Sequence, residues 1–180
     1  VSGLGFRAIP LAQSARSLGL ESAQPKATLD ALIALGICSA DSGGLPDAME
    51  AYADALTLAQ GLSDQVGEGK VWLNLGAALI YSGLYREALA CFERAERFAA
   101  TQQGLAHTRP TIYGNIALCH LNLDEISQGL VAIERAIELS SDPKDANSAL
   151  NRVLNENHFT RLLLEISNFD AAREHAKQGR

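Results

Sequence analysis

Residues 72–95 read Trp72-Leu73-Asn74-Leu75-Gly76-Ala77-Ala78-Leu79-Ile80-Tyr81-Ser82-Gly83-Leu84-Tyr85-Arg86-Glu87-Ala88-Leu89-Ala90-Cys91-Phe92-Glu93-Arg94-Ala95. Trp72, Leu75, Gly76 and Leu79 stand at i, i+3, i+4 and i+7, the spacing of one helical face, and the missing side chain at Gly76 cuts a notch into that face. Gly83 is placed to end the helix, and Ala88, Phe92 and Ala95, four and three apart, form a matching face on a second one. The stretch predicts two helices joined by a tight turn, with the second drawn close to the first.

The turn signal recurs at a fixed interval. Ser2-Gly3-Leu4, Ser42-Gly43-Gly44-Leu45 and Ser82-Gly83-Leu84 are spaced by 40 residues, and each is followed in the same register by an alanine, at Ala8, Ala48 and Ala88. A period of this size is the mark of a helical repeat array, in which each helix pair buries its apolar face only against its neighbours. One unit earlier, Leu32, Leu35, Gly36, Gly43, Ala48, Tyr52 and Ala55 repeat the pattern of residues 72–95 almost place for place.

These residues resemble the tetratricopeptide repeat, whose signature is an aromatic, Leu-Gly and a bulky residue on the first helix, then Ala, an aromatic and Ala on the second. Trp72, Leu75, Gly76, Ala88, Phe92 and Ala95 all match it. A third unit is looser: Tyr113, Ile116 and Ala117 take the first-helix places, and Gly129, Ile133 and Ala136 the second. A fourth, with Phe159, Thr160, Leu163, Phe169, Ala172 and Ala176, is degenerate, because Thr160 is larger than the usual Gly or Ala. The resemblance implies an all-α fold, a right-handed superhelix of antiparallel helix pairs. The units are expected at 25–62, 63–103, 104–142 and 143–180, after a truncated leading helix in 1–24. The usual unit of this family is shorter, so the spacing implies longer helices, a variant familiar in bacterial signalling and regulatory proteins. Because the chain lacks an initiator Met and opens in mid-repeat, it is expected to be part of a larger protein.

Helix punctuation agrees with this division. Ser63-Asp64, Thr108-Arg109-Pro110 and Asp142-Pro143 each offer a side-chain cap where a first helix should begin, and Pro46 follows the Gly43-Gly44 turn at a helix start. Pro10 breaks the register, and a kink, an early break or a helix that starts only near Pro10 is expected there.

Composition removes several function classes. The chain has 180 residues, 47% hydrophobic and 20% charged, with a net charge of −6. No Lys/Arg run supplies the positive footprint that nucleic acid or an anionic membrane requires. No apolar stretch approaches the ~20 residues of a membrane span, and no secretory leader opens the sequence, so a cytoplasmic protein is expected. Cys38, Cys91 and Cys119 are odd in number and lack any Cys-x-x-Cys pair, which favours buried thiols over a disulfide framework or a zinc site. His120 has no second histidine one turn away. No phosphate loop, nucleophile elbow or His-Glu-x-x-His motif occurs, so neither an enzyme nor a cofactor is expected.

The resemblance also implies where a partner would sit. In tetratricopeptide proteins the first helix of each unit lines a concave groove, which here places Ile37, Lys70, Leu73, Asn74, Tyr81, Asn115, Leu118 and Asn122 on that surface, with Ile33 beside them. Asn74 and Asn115 are equivalent, and an asparagine there can grip a peptide backbone through its amide donor and acceptor; the alternative is a pair of solvated polar residues. His158 and Arg161, with Asn157, form a polar turn able to hold an anionic group, or simply a solvated face. The basic clamp of chaperone-tail binders is not matched, since Ile33, Ile37 and Thr111 stand where its basic and amide partners would be. The expected function is a protein- or peptide-binding scaffold in a larger bacterial signalling protein. The alternative is a self-association module that sets the oligomeric state of an output domain such as a diguanylate cyclase or transcription regulator.

Overall fold

The computed structural model describes residues 24–140 and the single positions 9, 10, 13, 14, 17, 160 and 177. Across 24–140 run six α-helices: α1 (Pro25–Asp41), α2 (Leu45–Gly61), α3 (Gln65–Tyr81), α4 (Tyr85–Thr101), α5 (Arg109–Asn122) and α6 (Ile126–Leu139), with a 3-10 turn at Gln103–Thr108. They pack as adjacent antiparallel pairs, α1 with α2, α3 with α4 and α5 with α6. The chain divides between Gln102 and Gln103 into two compact units, the first holding α1 to α4 and the second α5 and α6.

The helices α1 to α4 are each 17 residues long and the turns joining them have three residues each, which produces the 40-residue period. The turns share one construction. At the end of α1, Gly43 adopts φ +82°, its N–H donates to the Ala40 carbonyl at 2.9 Å, and the Gly44 N–H donates to the Ser39 carbonyl at 2.9 Å. Gly83 does the same at φ +74°, with the Leu84 N–H on the Leu79 carbonyl at 2.9 Å. This left-handed closure satisfies carbonyls that the helix end leaves open. Gly44 and Leu84 then serve as N-caps of the next helix, their carbonyls accepting from the Ala48 and Ala88 N–H groups. Each turn thus has one residue of left-handed backbone, followed by the N-cap residue of the new helix. Ser63 and Asp124 hold the same place in the other two turns at φ 53° and 58°, without the freedom of glycine.

The capping expectations hold in part. The Asp64 carboxylate accepts from the Gly67 N–H at 2.9 Å and caps α3. Pro25, Pro46 and Pro110 lie in first turns, where a missing N–H costs nothing. Thr108 does not cap α5: its hydroxyl donates back to the Leu105 carbonyl at 2.7 Å and closes the 3-10 turn. That turn was not foreseen. It occupies the places that open the longer first helices, so α5 starts only at Arg109 and has 14 residues; α6 also has 14. Ile9 and Pro10 are helical, but the rest of the expectation at Pro10, the cap at Asp142-Pro143 and almost all of the fourth unit lie outside the described residues.

The helices within a pair meet through a bare or small residue set against a large one. Gly36 lies under the ring of Tyr52, and Gly76 under the ring of Phe92, where an added Cβ would come 2.6 Å from Cε1. Ala117 and Ile133 take the same two places in the second unit, both fully buried. One added methyl on the first helix is thus matched by a smaller side chain on the second, which keeps the volume of the contact.

Between pairs of the first unit, α1 touches α3, with Gly67 of α3 receiving the Leu29 side chain. Among the described residues α2 and α4 share no contact of that extent. The first helices therefore close together while the second helices splay, and α1 and α3 line the inner face of this unit. The core beneath them holds Leu29, Leu32, Ile33, Tyr52 and Val71, with Ala48, Ala55 and Ala59 permitting close approach.

Candidate functional site

The inner face of the first unit contains a hollow of about 230 Å³ between the C-terminal halves of α1 and α3. Ile37, Ala40 and Asp41 come from α1; Asn74, Ala77, Ala78 and Tyr81 from α3; and Tyr52 reaches in from α2. The structure thus brings together three residues expected to face a partner, Ile37, Asn74 and Tyr81. Residues 37 and 41 lie one turn apart on α1, and 74, 77, 78 and 81 form one stripe on α3, so helical spacing alone aims them at one place. Tyr81 is 75% exposed and Ile37 38%, large apolar surfaces left in water. Leu73 is half-buried, and Lys70 is exposed one turn before Asn74 without lining the hollow.

Two features of the hollow were not read from the sequence. Ile33 is not on the groove surface: it is 7% exposed and packs in the core, because the α1–α3 contact closes over it. Tyr52, expected only as a packing aromatic, also lines the hollow, near enough to Asp41 for that charge to act on its phenol. Its side chain is 1% exposed, and burial pushes its phenol well above the ordinary range, with Asp41 and then Cys38 adding to the effect. Phe92 does the same packing without a hydroxyl, and that comparison was the available signal.

Asn74 Nδ2 donates to the Lys70 carbonyl of its own helix at 2.8 Å. This bond fixes the side chain and turns its Oδ1 acceptor away from that carbonyl. Asn122 likewise donates to Leu118 O at 2.7 Å. In the second unit Asn115, Leu118 and Asn122 share one face of α5, with Asn115 and Leu118 half-buried and Asn122 exposed. His158 and Arg161 lie outside the described residues.

His120 Nδ1 lies 2.8 Å from Glu125 Oε2 and ties the end of α5 to the N-cap residue of α6. Arg94 places its guanidinium 4.4 Å from the centre of the Trp72 ring. Trp72 is only half-buried, and the fully buried residue beside it is Val71. Cys91 and Cys119 are buried, and burial pushes their thiols up to about 11 and about 12. Among the described residues no group of three His, Cys, Asp or Glu side chains comes together as a metal site, and no helix is long and apolar enough to cross a membrane.

Comparison with known proteins bears on the fold. Residues 69–101, spanning α3 and α4, match the tetratricopeptide repeat. No curated protein matches the chain in sequence. BtubC (BKLC) from P. vanneervenii has a similar fold, with a TM-score of 0.78 at 18% identity over 98% of this chain and 73% of that one. The nearly identical TPR-like repeats of a Podosopora anserina protein assigned as a kinesin light chain give 0.74 at 13% identity over 99% and 86%. MamA from Desulfovibrio magneticus RS-1, residue 41 to the end, gives 0.63 at 18% identity over 96% and 93%. Residues 69–101 are therefore similar to a tetratricopeptide repeat, and the described helices form an all-α arrangement of adjacent antiparallel pairs.

Proposed function

We propose that the chain is a peptide-binding scaffold that holds an extended segment of a partner protein on the inner face of its first unit. The observation that carries this reading is the hollow on the inner face of the first unit, where exposed Ile37 and Tyr81 flank the fixed amide of Asn74. Large apolar side chains left in water around a few oriented polar groups are the usual makings of a binding site. Lys70 and Leu73 extend the same helix face toward its N-terminus. Asn115, Leu118 and Asn122 repeat the pattern on α5, and His158 and Arg161 continue the series in sequence. No chemistry is needed from the chain, and the regulatory role in a larger bacterial signalling protein stays attached to this reading through the long repeat.

Panning a displayed library of random nonapeptides on the immobilised chain tests it. The wild type should retain peptides that Asn74→Ala/Asn115→Ala releases, with both proteins equally folded by circular dichroism. Equal retention by the two would remove the asparagines from the site.

One observation favours self-association as the second reading. In the second unit a cleft of about 730 Å³ runs between α5 and α6, where Tyr113, Ile116, Val131 and Ala132 give it an apolar part rimmed by polar residues such as Glu134, Arg135 and Glu138, and Val131 is 69% exposed. A second copy covering it would make the solution mass rise with concentration, and Val131→Glu would abolish the rise. A monomer throughout removes this reading.

A further inference from the structure

We propose that the hollow between α1 and α3 is a subsite for an arginine side chain of the bound peptide; this rests on the peptide-binding reading and adds the residue the site selects. The polar groups around the hollow are matched to a donor-rich cation. Asp41 contributes a carboxylate, and Asn74, with an N–H committed to the Lys70 carbonyl, has its Oδ1 to offer. Tyr81 supplies an exposed ring. No Lys or Arg lines the hollow.

The backbone adds to this polarity. As the first members of successive antiparallel pairs, α1 and α3 run in the same direction and end at Asp41 and Tyr81, beside the hollow. The last turn of a helix carries partial negative charge, and a basic side chain commonly stands there to balance it. Neither α1 nor α3 has a basic residue in its last turn. A cation from outside would be attracted by two helix ends and a carboxylate at once.

Tyr52 is the independent observation. It is 1% exposed, lines the hollow, and makes no hydrogen bond with any described residue. Phe92 and Ile133 fill the equivalent places without a hydroxyl, so packing does not require one, and a buried hydroxyl without a partner is unfavourable. A guanidinium entering between Asp41 and Asn74 supplies that partner. Its five donors in a planar fork suit the carboxylate, the amide oxygen and the phenol, and its flat face suits the Tyr81 ring. The Arg94 guanidinium over Trp72 shows the same stacking inside this protein. A hollow of about 230 Å³ has room for such a head group.

The test uses the nonapeptides retained by the whole chain. Peptides held by the wild type should carry arginine at one fixed position, and replacing that arginine with citrulline, equal in shape but uncharged, should weaken binding about tenfold or more. Against Asp41→Asn the arginine and citrulline peptides should bind within about threefold of each other, because the carboxylate that reads the charge is gone, and Tyr52→Phe should weaken the arginine peptide through the lost acceptor. Retained peptides without fixed arginine, or equal binding of the citrulline form by the wild type, would overturn the subsite while Asn74→Ala/Asn115→Ala still releases them and the scaffold reading stands. Retention of no peptide at all would overturn both.

Discussion

The ring of Phe92 rests on the bare Cα of Gly76, so close that a Cβ on residue 76 would lie 2.6 Å from Cε1 and 2.8 Å from Cζ. The contact joins the two helices of the best-formed pair, and its counterpart at Gly36 and Tyr52 joins the pair before it. Gly76→Ala forces the ring aside or the helices apart. Overpacking of this kind costs about 1–3 kcal/mol, which outweighs the ~1 kcal/mol that alanine contributes to a helix interior. In urea unfolding Gly76→Ala should be destabilised, while Gly76→Ala/Phe92→Ile, which reproduces the Ala117–Ile133 pairing, should recover part of the loss. Additive losses in the double variant would show that the two side chains are not in contact. Gly61, with nothing within 4 Å of an added Cβ, provides the control: Gly61→Ala should be neutral or stabilising.

Trp72 and Phe92 should not be equally important. Phe92 is fully buried, whereas Trp72 is half-buried beneath the Arg94 guanidinium. Phe92→Ala should cost about 3–5 kcal/mol, the range for a buried aromatic, and Trp72→Ala distinctly less. Equal losses would mean that Trp72 is buried in solution.

The left-handed turn residues offer a test in the opposite direction. Ser63 holds φ 53° where Gly43 and Gly83 hold the equivalent places. A side chain in that conformation costs about 1–2 kcal/mol, partly offset by the greater freedom glycine loses on folding. Ser63→Gly should raise the melting temperature and Gly83→Ala should lower it. The reverse order would contradict the shared turn geometry.

Much of this architecture was legible in the sequence because glycine and alanine constrain it so tightly. Gly36 and Gly76 announce a close approach, Gly43 and Gly83 a left-handed turn, and Tyr52 and Phe92 the partners of the notches. The failures fall where tertiary contact decides. Ile33 occupies a groove-facing register, yet α3 covers it, and spacing along one helix cannot show what a neighbouring helix hides. Trp72 occupies the signature place and is only half-buried because its neighbour Val71 takes the deep position. The 3-10 turn at Gln103–Thr108 reads as an ordinary capped helix start, since its decisive bond runs backward from Thr108. Of the candidate site, Asn74, Ile37 and Tyr81 were legible as one helix-face pattern, whereas the unpartnered Tyr52 hydroxyl was not.

Stability should depend on alkaline pH. Burial raises the Cys91 thiol from 9.0 to about 11 and the Cys119 thiol from 9.0 to about 12. The folded chain thus keeps protons that the unfolded chain releases. Stability should be level below pH 9 as far as these groups are concerned, then fall between pH 9 and 12, by at most about 1.4 kcal/mol per pH unit for each thiol. The Tyr52 phenol, also raised by burial, adds to the fall above pH 10. Urea unfolding at several pH values should show the decline, with a shallower slope in Cys119→Ala. An unchanged slope in that variant would mean the thiol is solvated.

Removing the Tyr52 hydroxyl separates folding from binding. Tyr52→Phe copies the Phe92 contact, so its melting temperature should be equal to or above that of the wild type, because no hydrogen bond is lost. A loss above about 1 kcal/mol would mean that the hydroxyl has a partner in the free protein.

The central claim is that the inner face of the first unit, not its outer helices, meets the partner. The direct measurement is photo-crosslinking with p-benzoylphenylalanine placed at Ile37, which borders the hollow, or at Met49, which is 49% exposed on α2. A selected nonapeptide should be captured at position 37 and not at position 49. Capture at 49 alone would move the site to the outer helices and contradict the account.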